Sequence, residues 1–256
     1  MKKYLIADII IGFDYKYDKY FLNNIESYSY EGDDAPNHII RVNYQQNLEL
    51  PTNTNTKILS RTATSLKAYM TFSDEYKEID VYIDDKSYND PATAEYIYTG
   101  MIFLELALMH GLVALHGSAI SYKNQVVVFS APSGTGKSTH AKMWKQLYGN
   151  DVEWINDDKP LLKVEGDQIF VYGAPFSGQN HANTNIKKPL KSIVFLQQGI
   201  TDEVTKLNKK EALKHLLTNA LRPQEEKEWD SILSQFEKIL NHIDIYHLDA
   251  SLSLNA

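Results

Sequence analysis

Residues 126–144 read VVVFSAPSGTGKSTHAKMW, and no other stretch restricts the fold as tightly. An apolar strand ends, a turn of small residues follows, and a helix, STHAKMWKQLY, begins at once. A chain turned this way aims free backbone N–H groups and the positive end of a helix dipole at one point, which suits a phosphate. Gly134 and Gly136 provide the backbone freedom, Lys137 a cation and Ser138 a hydroxyl for Mg²⁺. Against the Walker A pattern G-x-x-x-x-G-K-[ST], the first glycine is replaced by Ala131. Pro132 holds its own φ at about −65° and biases Ala131 toward extended geometry. Stiffness can therefore shape a strand exit that glycine shapes by permissiveness. The plainer alternative is a Gly/Ser-rich turn before an ordinary helix.

Two neighbouring elements bear on that choice. WINDD closes an apolar strand about twenty residues after Lys137. A Mg²⁺ held by a loop hydroxyl needs an acidic anchor at the end of a nearby strand. One of Asp157 and Asp158 can serve the metal, and the other can accept a hydroxyl proton. Alternatively they form an exposed turn before Lys159-Pro160. His116-Gly117 lies between apolar segments upstream of the loop; His116 is either a hydrogen-bonded core histidine or a group that meets phosphate or moves a proton. His140, on the helix after the loop, reads as a surface residue.

The rest of the chain frames these elements. Residues 1–90 alternate in YLIADIIIGF, NHIIRVNY, TSLKAYMTF and IDVYID, separated by polar runs such as QQNLELPTNTNTK. This predicts a β-rich N-terminal region whose strands are joined antiparallel by short turns. Asp90-Pro91 starts a helix that runs to about His110 and stops at Gly111. LVALHGSAIS and QVVVFS follow as strands linked by a turn at Lys123-Asn124. A hairpin, KPLLKV–EGD–QIFVYG, then the loop APFSGQNHANTN, the strand LKSIVFLQQG, helices at about 208–220 and 224–241, and a last strand, DIYHLDA, complete an α/β region over 91–256. The start, MKKYLIADIIIGFD, is broken by Asp8 and shows no cleavage site, so it reads as a first strand and the chain as cytoplasmic. MIFLELALMHGLVAL contains Glu105 and His110, too polar and short for a bilayer. The net charge is −7, which disfavours nucleic acid, and the lack of cysteine excludes disulfides and thiol chemistry.

His-Gly, SAPSGTGKST and NDD, in that order and spacing, resemble the catalytic domain of HPr kinase/phosphorylase, and more closely the uncharacterised bacterial proteins grouped with that family. The family's elements read here LHGSAIS, SAPSGTGKST, INDDKPLL, VYGAPFSG and LKSIVFLQQG, over roughly 100–220. Lasso-peptide kinases belong to the same wider group, and phosphoenolpyruvate carboxykinases share its nucleotide-binding core. The resemblance implies a P-loop core of this type over 91–256, using ATP and Mg²⁺. It implies nucleotide contacts from Ser133, Gly134, Thr135, Gly136, Lys137, Ser138 and Thr139, and metal contacts from Ser138, Asp157 and Asp158. It assigns His116, Asp157 and Asp158 to catalysis, and places the loop from Gly173 to Gly178 beside an acceptor hydroxyl, serine or threonine of a peptide or protein. Catalytic members form oligomers, which leaves a homo-oligomer open. Ala131 and Thr139 stand where HPr kinase has glycine and glutamate, so HPr itself is not implied as acceptor. Phe176 and Gln179 replace a frequent tryptophan and lysine, and Arg222 is the only late arginine. These departures keep a second reading open: a non-catalytic, nucleotide-binding accessory or regulatory protein. A carboxykinase-type lyase needs cations for a dicarboxylate, which a chain with three arginines supplies poorly.

Overall fold

In a computed structural model of the chain, residues 1–20, 25–178, 182–223 and 226–251 are described. They divide into two units, Met1–Leu106 and Ala107–Ala256. The helix after residue 90, placed with the second region by sequence, falls for most of its length in the first unit.

The first unit opens with β1 (Lys2–Ile6) and β2 (Ile9–Asp14). Sequence suggested one strand here. Ala7 and Asp8 instead adopt left-handed φ values of 51° and 65°, and fold YLIADIIIGF into a tight antiparallel hairpin. β3 (His38–Tyr44), β4 (Asn55–Arg61), β5 (Leu66–Phe72) and β6 (Glu78–Ile83) complete a six-stranded sheet in the order β1-β2-β3-β6-β5-β4. β2–β3 and β3–β6 are parallel, contrary to the antiparallel expectation. Side-chain alternation reports which face a residue takes and carries nothing about strand direction. β4 starts inside the polar run and escaped the sequence reading, because an edge strand needs no apolar alternation. α1 (Pro91–Met109) ends before Gly111, whose φ is +76°. It is tied to the sheet through Glu95, fully buried, which accepts from the N–H groups of Lys16 and Tyr17 and from the Tyr44 hydroxyl. Lys57 of β4 pairs with Glu105 at 2.8 Å.

The second unit contains β7 (Leu112–Ala114), β8 (Gly117–Tyr122), β9 (Gln125–Ser130), α2 (Lys137–Tyr148), β10 (Val152–Asp158), β11 (Leu161–Glu165), β12 (Gln168–Tyr172), β13 (Lys187–Gln198), β14 (Glu203–Lys206), α3 (Lys209–Asn219), α4 (Glu226–His242) and β15 (Asp244–Ala250). LVALHGSAIS is broken at Leu115-His116, and its halves lie at different places in a nine-stranded mixed sheet: seven strands follow the order β10-β8-β9-β13-β12-β11-β7, and off this path β15 pairs with β13 and β14 with β15. β13 is long enough to pair with β12 at its start, and in parallel with β9 and β15 along the rest. The turn at Lys123-Asn124 has φ values of 48° and 62°, the pair of left-handed residues that a tight hairpin requires. β14, a short exposed edge strand, was not foreseen. The arrangement is α/β: a mixed sheet with helices. The main apolar cluster packs Val128, Ile193, Phe195 and Ile245 of the sheet with Leu216, Ile232, Phe236 and Ile239 of α3 and α4. No helix among the described residues is long and apolar enough to cross a membrane.

Candidate active site

Strand direction gathers the site. β8 runs antiparallel to β9, and β10 antiparallel to β8. The ends of β9 and β10 and the start of β8 therefore lie at the same edge of the sheet. Register makes this specific: Gly117 pairs with Ser130 on one side and Asp158 on the other, and Ser118 pairs with Asp157. A Cβ on Gly117 would lie 2.9 Å from the Phe129 carbonyl oxygen, so glycine lets the strands close there.

β9 leaves the sheet at Ser130 and the chain enters α2 at Lys137. Gly134 and Gly136 take φ values of +81° and +110°, which L side chains adopt only with strain. Ala131 keeps a negative φ and is 2% exposed, packed with Phe129, Ala141, Leu196 and Leu248. Its methyl fills a small apolar cluster under the loop, a role glycine does not offer. The Lys137 ammonium turns back onto the loop, donating to the carbonyls of Ala131 (2.9 Å) and Pro132 (3.1 Å). Burial pushes its pKa down.

A cavity of about 480 Å³ lies over this edge. Ser133, Gly134, Gly136, Lys137, Ser138 and Thr139 form one side; His116, Asp157, Asp158 and Gly178 face them. Of the residues given nucleotide, metal or catalytic roles from sequence, Thr135 alone does not line it. Its hydroxyl bonds back to the Pro132 carbonyl at 2.9 Å.

The two aspartates have different settings. Asp157 is 6% exposed and accepts from Ser118, whose Oγ is 3.5 Å from Ser138 Oγ. Asp158 is more open: its Oδ1 is 3.8 Å from His116 Nε2 and 3.2 Å from Lys159 Nζ. Burial first, then Lys137 and Lys159, push the His116 pKa down, so its imidazole is neutral at neutral pH. His116 is thus half-buried at the cavity wall, its N–H donating to the Asn219 carbonyl (2.8 Å) and its carbonyl accepting from Ser130 Oγ (2.9 Å).

Two contributors had no assigned role in the sequence reading. Ser118 joins Asp157 to Ser138. Asn156, fully buried, accepts from the N–H groups of Asp158 (3.0 Å) and Lys159 (2.7 Å) and donates to the Ala174 carbonyl (2.8 Å), so it shapes the double aspartate and ties it to the following loop. Both sit inside quoted motifs, but pattern alone does not tell a positioning side chain from a neighbour. In that loop, a Cβ on Gly173 would lie 1.9 Å from the Thr184 carbonyl oxygen, and Gly178, at φ +65°, packs against Asp158. Gln179 lies outside the described residues. Arg222 is exposed and does not line the cavity. His140 corrects the sequence reading. It is 5% exposed, edge-on to Phe129 at 4.6 Å, and accepts from Trp144 Nε1.

Among the described residues no group of three or more His, Asp and Glu side chains forms a ready metal cage. The donors at hand, Ser138 and the two carboxylates, are hard oxygens. They suit Mg²⁺, which commonly takes one or two protein carboxylates and completes its sphere with phosphate and water.

No family model matches the chain, and no curated protein matches it. Among solved structures it is similar to the HPr(Ser) kinase/phosphatase from Coxiella burnetii, at 10% identity and a TM-score of 0.29, over 54% of this chain and 85% of that one. A likeness this distant carries no argument about activity.

Proposed function

We propose that the chain is a Mg²⁺- and ATP-dependent kinase with a P-loop core, which moves the γ-phosphate to a hydroxyl, serine or threonine of a peptide or protein. One observation carries the reading: a single sheet edge gathers a glycine-rich strand-to-helix loop with its lysine, an aspartate linked through Ser118 to the loop serine, and a second aspartate beside a neutral histidine. The sequence resemblance of these elements supports it.

In this reading the loop N–H groups and the start of α2 bind the phosphates, and Lys137 exchanges its carbonyl partners for phosphate oxygens. Ser138 and Asp157 hold Mg²⁺, which supplies charge neutralisation when bound. Asp158, at the open side of the cavity, takes the proton of the acceptor hydroxyl. His116 lies beside that carboxylate and offers its single imidazole N–H to the transferring group. Asn156 keeps both aspartates in place. Positioning and electrostatics of this kind are most of what phosphoryl transfer asks of a protein.

The test is incubation with ATP labelled in its γ-phosphate, Mg²⁺ and fractions of a cell lysate. Label on a serine or threonine of one polypeptide, lost in Lys137→Met, supports the kinase. Nucleotide binding with no label moved in any fraction supports the accessory protein instead.

A further inference from the structure

The loop has a second side. A separate cavity of about 200 Å³ shares Gly136 with the one described above and is lined by Thr135, His140, Met143, Leu196, Gln198 and Ala250, among others. It is smaller than the roughly 300–1,000 Å³ typical of drug-sized pockets, a scale suited to one heterocyclic base. Leu196, Met143 and Ala250 give it an apolar surface on which a flat ring can lie.

Its polar groups are oriented. Trp144 Nε1 donates to His140 Nε2 at 3.3 Å, and an indole N–H can only donate, so His140 Nε2 is unprotonated. The imidazole proton is then on Nδ1, and no described residue accepts it. Gln198 Nε2 donates to the Thr135 carbonyl at 3.4 Å, which leaves its amide oxygen as an acceptor. Among the polar groups of the lining, His140 thus provides a donor and Gln198 an acceptor. Adenine presents the complement on its N7/N6 edge, an acceptor and a donor; guanine presents two acceptors there, N7 and O6.

We infer that this cavity is the base subsite of the nucleotide, with His140 and Gln198 selecting adenine over guanine. The inference rests on the proposal that the neighbouring loop holds the phosphates. Gly136 is then the hinge point of the bound ligand, with phosphates on one side and the nucleoside on the other. This also accounts for a histidine so deeply placed on a helix otherwise read as exposed.

Equilibrium dialysis on the full chain, with Mg²⁺, tests it with three probes: ATP, GTP and inorganic tripolyphosphate. The variants are His140→Phe and Gln198→Leu; Gln198 is exposed, so its replacement leaves folding intact. Wild type is expected to bind ATP about tenfold more tightly than GTP or tripolyphosphate, the scale of one directed hydrogen bond. Both variants should lose that advantage while holding tripolyphosphate as wild type does. ATP bound no better than tripolyphosphate, or an advantage that survives in both variants, overturns the base subsite alone. Failure of wild type to bind any of the three overturns the phosphate-site reading, and this one with it.

Discussion

The two units use opposite chemical alphabets. The first holds thirteen of the seventeen tyrosines and one of the eight histidines; the second holds seven of the histidines and nine of the twelve glycines. In the first, tyrosines serve packing: Tyr69 stacks on Tyr82 at 4.8 Å, and the hydroxyls of Tyr88 and Tyr98 meet at 2.7 Å. Its buried carboxylate, Glu95, is satisfied by backbone N–H groups and a tyrosine hydroxyl, a structural use of charge. The second unit spends backbone freedom and titratable groups at one sheet edge. The difference shows where chemistry is affordable: polar side chains converge where strands end.

All three tryptophans, Trp144, Trp154 and Trp229, belong to the second unit, so tryptophan fluorescence reports on that unit alone. The largest effect should come from Gly173→Ala. The added methyl would lie 1.9 Å from one carbonyl oxygen and 2.8 Å from another, and backbone cannot yield cheaply there. Urea unfolding followed by tryptophan emission should show a loss of more than ~3 kcal/mol. An unchanged midpoint would break the account of the Gly173–Gly178 loop.

Acid should separate the units next. Burial is the first cause that pushes the pKa values of His116, His140 and His215 below the ordinary 6.5. The unfolded chain takes up these protons first as pH falls, so their contribution is present above about pH 6.5 and lost as pH falls through the folded values. Glu95 has the opposite sign. Its pKa is raised from 4.5 by burial, so its contribution is present below that value and lost as pH rises through the folded one. Between pH 7 and pH 5 the tryptophan-reported midpoint should fall. A flat profile would show that these histidines are not held neutral.

The smallest effect is expected from Ala131→Gly, which restores the Walker glycine. It removes a buried methyl and loosens the backbone, at about 1 kcal/mol of the second unit's stability. ATP affinity should not change, because Ala131 already has an allowed φ. A gain in affinity would show that its Cβ hinders the loop.

Much of the second unit was legible because its signals are local. The strand–glycine–lysine–helix order, the Lys123-Asn124 turn, the hairpin after Asp158 and the last strand are each written in a few adjacent residues. Strand direction in the first unit was not, since pairing of β2 with β3 depends on where a distant segment lands. At the site, sequence supplied His116, Lys137, Ser138, Asp157 and Asp158. It did not supply Ser118 as a link or His140 as a buried group, because both depend on partners brought near by folding, Asp157 across the β8–β10 pair and Phe129 beneath α2.

The most direct measurement compares phosphoryl transfer with nucleotide binding in wild type, Asp157→Asn and Asp158→Asn, using γ-labelled ATP, Mg²⁺ and the lysate fraction that accepts label. The account predicts that Asp158→Asn retains ATP binding and loses transfer by at least about a hundredfold. It predicts that Asp157→Asn loses transfer and also weakens the dependence of binding on Mg²⁺. Equal transfer by all three proteins would contradict the assignment of this sheet edge to catalysis.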